Sequence, residues 1–460
     1  MASPRFCDTC RRAYRRGGSC GWPRRLHRPR RSPSGSSGCR GRPAHNPSAG
    51  GPGRRPSRHP KRSPRPHSNR PPGTPLRAVH GVDRRAPIHR LDSVENTVTR
   101  IFHSASTVRG YLAQRSTRQY RLQLGVVFLL GLISVLALAN LLFGAVTLSA
   151  ERVWFATVGQ GDSAIGDPVA EEIIWNLRLP RLLVGALIGV HFAIAGSLLQ
   201  AVLRNPLADS GVIGINAGAG LAAVLAFAVA ERLAGDANPY LRAALSLDWL
   251  PLIACGGGIV AAAVVYRLSW NGGSTPVRLV LMGIAVAGLL SALTTGILAG
   301  WAQASTETAL AWLSGSLYGR DWAHLSTLLP WTIAGLFLLP LLLRGANLLQ
   351  LGDEVAATRG LRVERSRFAL LLVAVLFAAS AVGIVGPVGF VGLIVAHIAR
   401  LMVGPDIKHQ LIVSPLLGAL LVLAADLIGR LVLVPAELPI GVVTSLLGVP
   451  FFLALLARRR

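Results

Sequence analysis

The sequence predicts an all-α, polytopic membrane protein of about ten transmembrane helices with both termini in the cytoplasm. Three observations carry that prediction. Most of the positive charge is confined to one arm, and the remainder of the chain is cut into uncharged stretches of bilayer length. The charges left between those stretches then differ in sign from one side to the other. The chain has 460 residues, of which 51% are hydrophobic and 15% charged, with a formal net charge of +27. Soluble domains carry about 25% charged residues, so the composition argues against an ordinary soluble enzyme.

Residues 1–120 hold 27 Lys and Arg against Asp8, Asp83, Asp92 and Glu95, whereas residues 121–460 hold 21 against 17 acids. The first segment is dense in Arg, Pro, Ser and Gly and has almost no apolar run. It cannot bury enough apolar surface to offset chain entropy, and it reads as a disordered arm. Cys7 and Cys10 have half the spacing of a zinc site, but Cys20 and Cys39 supply no second close pair, so no resident metal is assigned. No apolar stretch follows the basic residues, so the arm does not read as a signal peptide. Charge alone would allow nucleic acid or anionic lipid as partner, but nucleic acid is not assigned. The plainer readings are a cytoplasmic tail and a translation start placed too far upstream.

The text changes at residue 121. The stretch 124–146 is uncharged and long enough to cross a hydrocarbon core of about 30 Å, which takes roughly 20 helical residues. Similar stretches follow at 182–203, 210–230, 249–266, 279–300 and 325–343. Residues 368–399 contain no Asp, Glu, Lys or Arg, too long a run for one span, and Gly386-Pro387 offers a break into 368–386 and 388–403. Two more, 410–429 and 438–457, complete ten. With the N-terminus inside, Arg204, Arg267, Arg278, Arg344, the cluster Arg359–Arg367, Arg400, Lys408 and Arg458–Arg460 all fall on the cytoplasmic side. Glu151, Asp162, Asp167, Glu171, Glu172, Glu231, Asp236, Asp248, Glu307, Asp321 and Glu437 fall opposite. This asymmetry obeys the positive-inside rule. Gly- and Ala-rich spans, such as VGALIGVHFAIAG, allow close helix contacts in lipid and point to a compact bundle.

Neither a G-x-x-x-x-G-K-[ST] loop nor H-E-x-x-H nor G-x-S-x-G occurs, so no nucleotide or hydrolase site is read. Asp426 is the acid placed within a span, one turn before Arg430. An i,i+4 ion pair is its plain reading and a proton relay the alternative. His191 lies mid-span, where a packed or hydrogen-bonded histidine is the plainer reading. Three connecting segments stand out. Arg178-Leu-Pro-Arg181 would turn two guanidinium groups out of the membrane at the mouth of the second span. Arg204-Asn205-Pro206-Leu207-Ala208-Asp209 forms a polar turn on the inside. In 348–367, Asp353 and Glu354 would open a short helix, Arg359 would close it, and Gly360 would take the C′ position. Such a helix suits docking of a cytoplasmic partner or a surface connector.

These segments resemble the FecCD family, the permease subunits of ATP-binding-cassette importers for iron-siderophores, haem and cobalamin. The resemblance rests on RLPRLLVGALIGVHFAIAGSLLQAVLRNPLADSGVIGINAGAG, AWLSGSLYGRDW, LGDEVAATRGL, GPVGFVGLIVAHIARLMVGPD, GALLVLAADLIGR and ELPIGVVTSLLGVPFFLALL, in that order across 121–460. A faint internal echo links RNPLADSGVIGINAGAG with VGPDIKHQLIVSPLLGA. Two positions depart from the pattern: Ala396 and Ser210 stand where the family usually has Pro.

The resemblance implies a permease domain over 121–460 that pairs with a second, identical or paralogous, permease chain. It implies two separate ATPase subunits that use ATP, and an extracytoplasmic binding protein that delivers a metal chelate. Arg178, Arg181 and Arg430 match positions that receive that protein. Asp353, Glu354, Arg359 and Gly360 match the loop that couples to the ATPases. Asn205 and Pro206 belong to the inner-loop motif, and His191, Ser197 and Gln200 are the candidates for lining the pathway. The chain itself would bind no cofactor and catalyse no reaction. Its site would be the cytoplasmic membrane, and its cargo an iron-siderophore, with haem or cobalamin as runners-up. The competing readings are an ion-coupled secondary carrier of a small polar solute and a membrane enzyme or scaffold.

Overall fold

Nine helices among the described residues are long and apolar enough to cross a bilayer. The computed structural model describes residues 120, 122–144, 146–158, 168–233, 247–300, 306–434 and 436–457. The basic arm up to residue 119, with Cys7, Cys10, Cys20 and Cys39, lies outside the described residues, as do Asp162, Asp167, Asp236 and Arg458–Arg460. Among those described, all regular structure is helical.

The chain opens with α1 (Leu122–Leu142), the short α2 (Ala150–Val158) and α3 (Pro168–Glu172). A π-helical turn, Ile173–Arg178, runs directly into α4 (Leu179–Leu203). After the turn 204–209 come a 3₁₀ turn (Ser210–Ile213) and α5 (Ile215–Leu233), then α6 (Leu250–Ser269), α7 (Pro276–Gly300) and the short α8 (Thr306–Leu313). The series ends with α9 (Trp322–Gln350), α10 (Asp353–Thr358), α11 (Val363–Val385), α12 (Val391–Val403), α13 (Ile407–Val432) and α14 (Ile440–Ala457).

Two boundaries differ from the sequence expectation. Arg178-Leu-Pro-Arg181 is not a loop. It lies within one helical run that starts at Pro168, with Pro180 in the first turn of α4. Proline cannot donate to the carbonyl one turn back and crowds it, and the widened π turn just before it absorbs that mismatch. The second difference is α12. The chain does break at Gly386-Pro387, but the helix that follows has only 13 residues, about 20 Å at 1.5 Å per residue. Residues 386–390 run between α11 and α12 without helix, with Gly386 at φ +84° and Phe390 at φ +67°. The Asp209 carboxylate accepts the Phe390 N–H at 3.0 Å and so fixes this left-handed residue.

Helix α4 is the hub of the bundle. Its small residues let neighbours approach so closely that a Cβ at Gly189 would lie 2.2 Å from the carbonyl oxygen of Gly418 in α13. A Cβ at Gly196 would lie 2.5 Å from the Cα of Gly392 in α12. Helices α4 and α11 are the most enclosed of the long spans and α1 the least. Ala396 is fully buried within α12 and Ser210 opens the 3₁₀ turn. The Ser210 N–H donates to Asp209 at 2.8 Å, a bond a proline there could not make.

Candidate functional site

Charged residues gather at the two ends of α4. At its first end, Arg178 and Arg430 turn back into the protein and are 8% and 7% exposed. Arg178 donates to the carbonyl of Leu141, in the last turn of α1 where carbonyls lack helical partners, and to that of Val146 just beyond the helix. Arg430 donates to the Asn140 side chain and, at 3.4 Å each, to the carbonyls of Asn140 and Phe143. The two arginines thus cap α1 and hold it to α4 and α13.

Arg181 engages two carboxylates. Its Nε and Nη2 donate to Asp426 Oδ1 at 3.1 and 2.7 Å, and Nη2 also reaches Glu437 Oε2 at 2.8 Å. Asp426 is 2% exposed and pairs with Arg430 at 3.0 Å through its other oxygen. The i,i+4 pair expected from the sequence is therefore present, and Arg181 makes it a cluster. A cavity of about 550 Å³ opens beside it, lined by Arg178, Arg181, Arg320, Arg430, Asp321 and Glu437 among others.

Across the cavity, Asp321 caps α9 by accepting the N–H groups of Ala323 and His324 at 3.0 and 3.2 Å. His324 Nδ1 lies 2.7 Å from the same carboxylate and its Nε2 is 2.9 Å from Arg320 Nη1. The ring thus bridges the Asp321 carboxylate and the Arg320 guanidinium. Burial alone would raise the Asp321 carboxyl, but the His324 ring and the two backbone N–H groups outweigh it and hold it below its usual range. Burial pushes Arg320 the other way, below the ordinary arginine value.

The opposite end of α4 carries α10. Asp353 and Glu354 occupy its first turn, Arg359 is the C-cap and Gly360 follows at φ +77°. Gly360 N–H donates to Ala357 at 2.9 Å and Leu361 N–H to Ala356 at 3.0 Å. This is the double bond pattern that ends a helix on a left-handed glycine, as the sequence expectation placed it. Asp353 pairs with Arg204, the left-handed residue that caps α4, at 3.2 Å, and with Arg367 at 2.6 Å. Arg367 is 1% exposed and also binds Glu364 at 2.7 Å and the Ser274 carbonyl. Glu364 in turn accepts the Ser274 N–H and hydroxyl at 3.1 and 2.8 Å. The buried Arg367 therefore ties α10 to α11 and to the segment before α7. Spacing gave no sign of this role, because Arg367 read as one more cytoplasmic arginine. Asn205 shapes the adjoining turn, its side chain accepting the Leu207 N–H at 3.0 Å across Pro206.

His191, Ser197 and Gln200 do not face a surface of this chain. All three, the candidates for lining the pathway, are enclosed within this chain, and His191 has the packed, hydrogen-bonded setting that is its plainer reading from the sequence. His191 Nδ1 meets Ser380 Oγ at 3.0 Å and its Nε2 meets Thr332 Oγ1 at 2.8 Å, with the ring edge-on to Phe377. Ser197 donates to Ser414 at 3.1 Å and Gln200 to the Leu393 carbonyl at 3.4 Å. A polar group buried in a membrane bundle must find a partner, and these three fasten α4 to its neighbours.

A FecCD transport family model matches residues 132–458. The chain belongs to that family. Over 335 residues it is 36% identical to an iron(3+)-hydroxamate import permease of Bacillus subtilis, covering 73% of this chain and 96% of the relative. Over 291 residues it is 42% identical to an achromobactin transport permease of Dickeya dadantii, covering 63% and 80%. Among solved structures, a transporter assigned to the metal-chelate ABC type, in an inward-facing conformation, superposes with a TM-score of 0.62 at 28% identity. That match covers 72% of this chain and 98% of the other. As a FecCD protein with many apolar helices, the chain is a multi-pass protein of the cell membrane. Its family identity marks a transport permease.

Proposed function

We propose that this chain is the membrane-spanning permease subunit of an ATP-binding-cassette importer that carries an iron-siderophore or related metal chelate across the cytoplasmic membrane. The observation that carries this reading is the family match, which extends from α1 to the end of α14 and takes in both charged ends. The relatives named for iron-hydroxamate and achromobactin import favour a ferric siderophore as cargo.

The ends then divide the work. The α10 end carries the basic residues and faces the cytoplasm under the positive-inside rule. There Asp353, Glu354, Arg359 and Gly360 present a rigid, capped helix to one of two ATPase subunits, and Arg204 and Arg367 pass its displacement to α4 and α11. The Arg178 end faces outward, where Arg178, Arg181 and Arg430 border the cavity that receives an acidic face of the extracytoplasmic binding protein. A second permease chain, identical or paralogous, completes the pathway at the subunit interface. The ion-coupled reading loses its best support, since both Asp426 carboxylate oxygens are already engaged by arginines.

Reconstitution into proteoliposomes with the importer's ATPase subunits and binding protein tests the reading. Labelled ferric hydroxamate is expected to enter only with ATP, and uptake is expected to vanish when the ATPase's catalytic glutamate is replaced by glutamine. Uptake that survives that replacement and collapses with a protonophore would overturn the proposal in favour of an ion-coupled carrier.

A further inference from the structure

The two carboxylates on Arg181 are not equivalent. Asp426 is enclosed on α13 and shared with Arg430. Removing it from either guanidinium would strand charge inside the protein, which is strongly unfavourable. Glu437 lies on the segment joining α13 to α14, stands in the cavity wall and is 25% exposed at its side chain. The Leu438 N–H donates to the Gly429 carbonyl at 2.9 Å, so the backbone beside Glu437 is held in place and its carboxylate can leave Arg181 by side-chain rotation alone. Of the acids facing this cavity, Asp321 is committed to the α9 cap and His324. Arg178 and Arg430 are committed to the α1 carbonyls, and Arg320 stands against His324. Among the described residues lining this cavity, the exchangeable ion pair is Arg181–Glu437.

We propose that Glu437 is a built-in occupant of the docking site: it holds on Arg181 the position that a carboxylate of the incoming binding protein takes, and docking proceeds by exchange of one for the other. The inference rests on the docking reading given above and adds a competing group to it. A site whose competent form is only partly populated binds with an apparent affinity reduced by that fraction. Glu437 therefore weakens docking, shortens the life of the docked complex and returns to Arg181 when the binding protein leaves. It also discriminates between partners, because only a carboxylate set to engage Arg181 from the cavity compensates for the pair it breaks.

The test measures binding of the importer's own solute-binding protein to the permease–ATPase complex in nanodiscs, with Glu437→Gln and Arg181→Gln in parallel. Glu437→Gln is expected to tighten binding by about two- to tenfold, the range set by a partly shielded ion pair, and to slow dissociation. Arg181→Gln is expected to weaken it by about tenfold or more, with melting curves confirming that the bundle is intact. If Arg181→Gln weakens binding while Glu437→Gln leaves it unchanged or weakens it too, docking at Arg181 stands and the exchange is overturned. If neither substitution changes binding, docking at Arg181 and the exchange both fail. A purely structural role for Glu437 predicts no tightening, so the sign of its effect decides, even where Arg181→Gln perturbs folding.

Discussion

The two ends of α4 are built inside out with respect to each other. At the Arg178 end the most enclosed charge is an acid, Asp426, 2% exposed at its side chain, with Arg430 and Arg181 around it at 6% and 14%. At the α10 end the enclosed charge is an arginine, Arg367, with Asp353 and Glu364 around it and Arg204 beyond. Each buried ion needs partners to offset its desolvation, and the partners form the wall facing outward. The sign of the enclosed ion therefore sets the sign of the surface. An enclosed carboxylate yields a cationic socket, and an enclosed guanidinium yields an acidic helix start locked in one orientation.

Breaking the α10 end at its centre is expected to have the largest effect. Arg367→Met leaves Asp353, Glu364 and the Ser274 carbonyl without their shared donor; with both acids 36% exposed, a loss of about 3 kcal/mol is expected from the charge-assisted bonds removed. It would appear as a lower melting temperature in detergent together with lost ATP-driven uptake. A variant that melts like the native protein would show that this end is not organised around Arg367. Asp426→Asn, at the other end, removes the charge that two arginines share but keeps an oxygen to accept from them, and Glu437 still neutralises Arg181. About 2 kcal/mol is expected, read as reduced thermal stability, and a larger loss than for Arg367→Met would reverse the ranking of the two ends. Arg204→Gln is the smallest perturbation. Its pair with Asp353 is a third exposed on each side, so a loss of under about 1 kcal/mol is expected. Its effect on ATPase stimulation by the binding protein should exceed its effect on melting.

The sequence was most informative where the physics is local. Helix α10 was placed from Asp353 and Glu354 at its start and Gly360 at its end, because dipole complementarity and a left-handed stop act within one turn. The Asp426–Arg430 pair follows from i,i+4 spacing in the same way. Arg178 and Arg181 misled, since a proline between arginines reads as a loop, whereas a π turn lets the helix continue through it. The roles of Arg367 and Glu437 could not be read. Arg367 lies 14 residues from Asp353, and Glu437 lies 256 residues from Arg181. No periodicity relates positions brought together only by helix packing. For His191 a hydrogen-bonded setting is the plainer sequence reading and it holds, but its partners on α9 and α11, like those of Ser197 and Gln200, are set by packing alone.

The short α12 has a mechanical consequence. Its 13 residues cover about 20 Å, short of a core about 30 Å thick, and the non-helical chain 386–390 precedes it. Unwound backbone in a membrane bundle persists where protein encloses it or water reaches it, and Val388 within this segment is buried. Pro387 and Gly389 border a second cavity, of about 610 Å³, beside α14. The segment is held closely: a Cβ at Gly386 would lie 2.1 Å from the Trp312 carbonyl oxygen, and one at Gly315 would lie 2.6 Å from the Pro387 carbonyl oxygen. With Asp209 fixing Phe390, the break between α11 and α12 is a clasped joint, set by its neighbours and not by a helical ladder of its own.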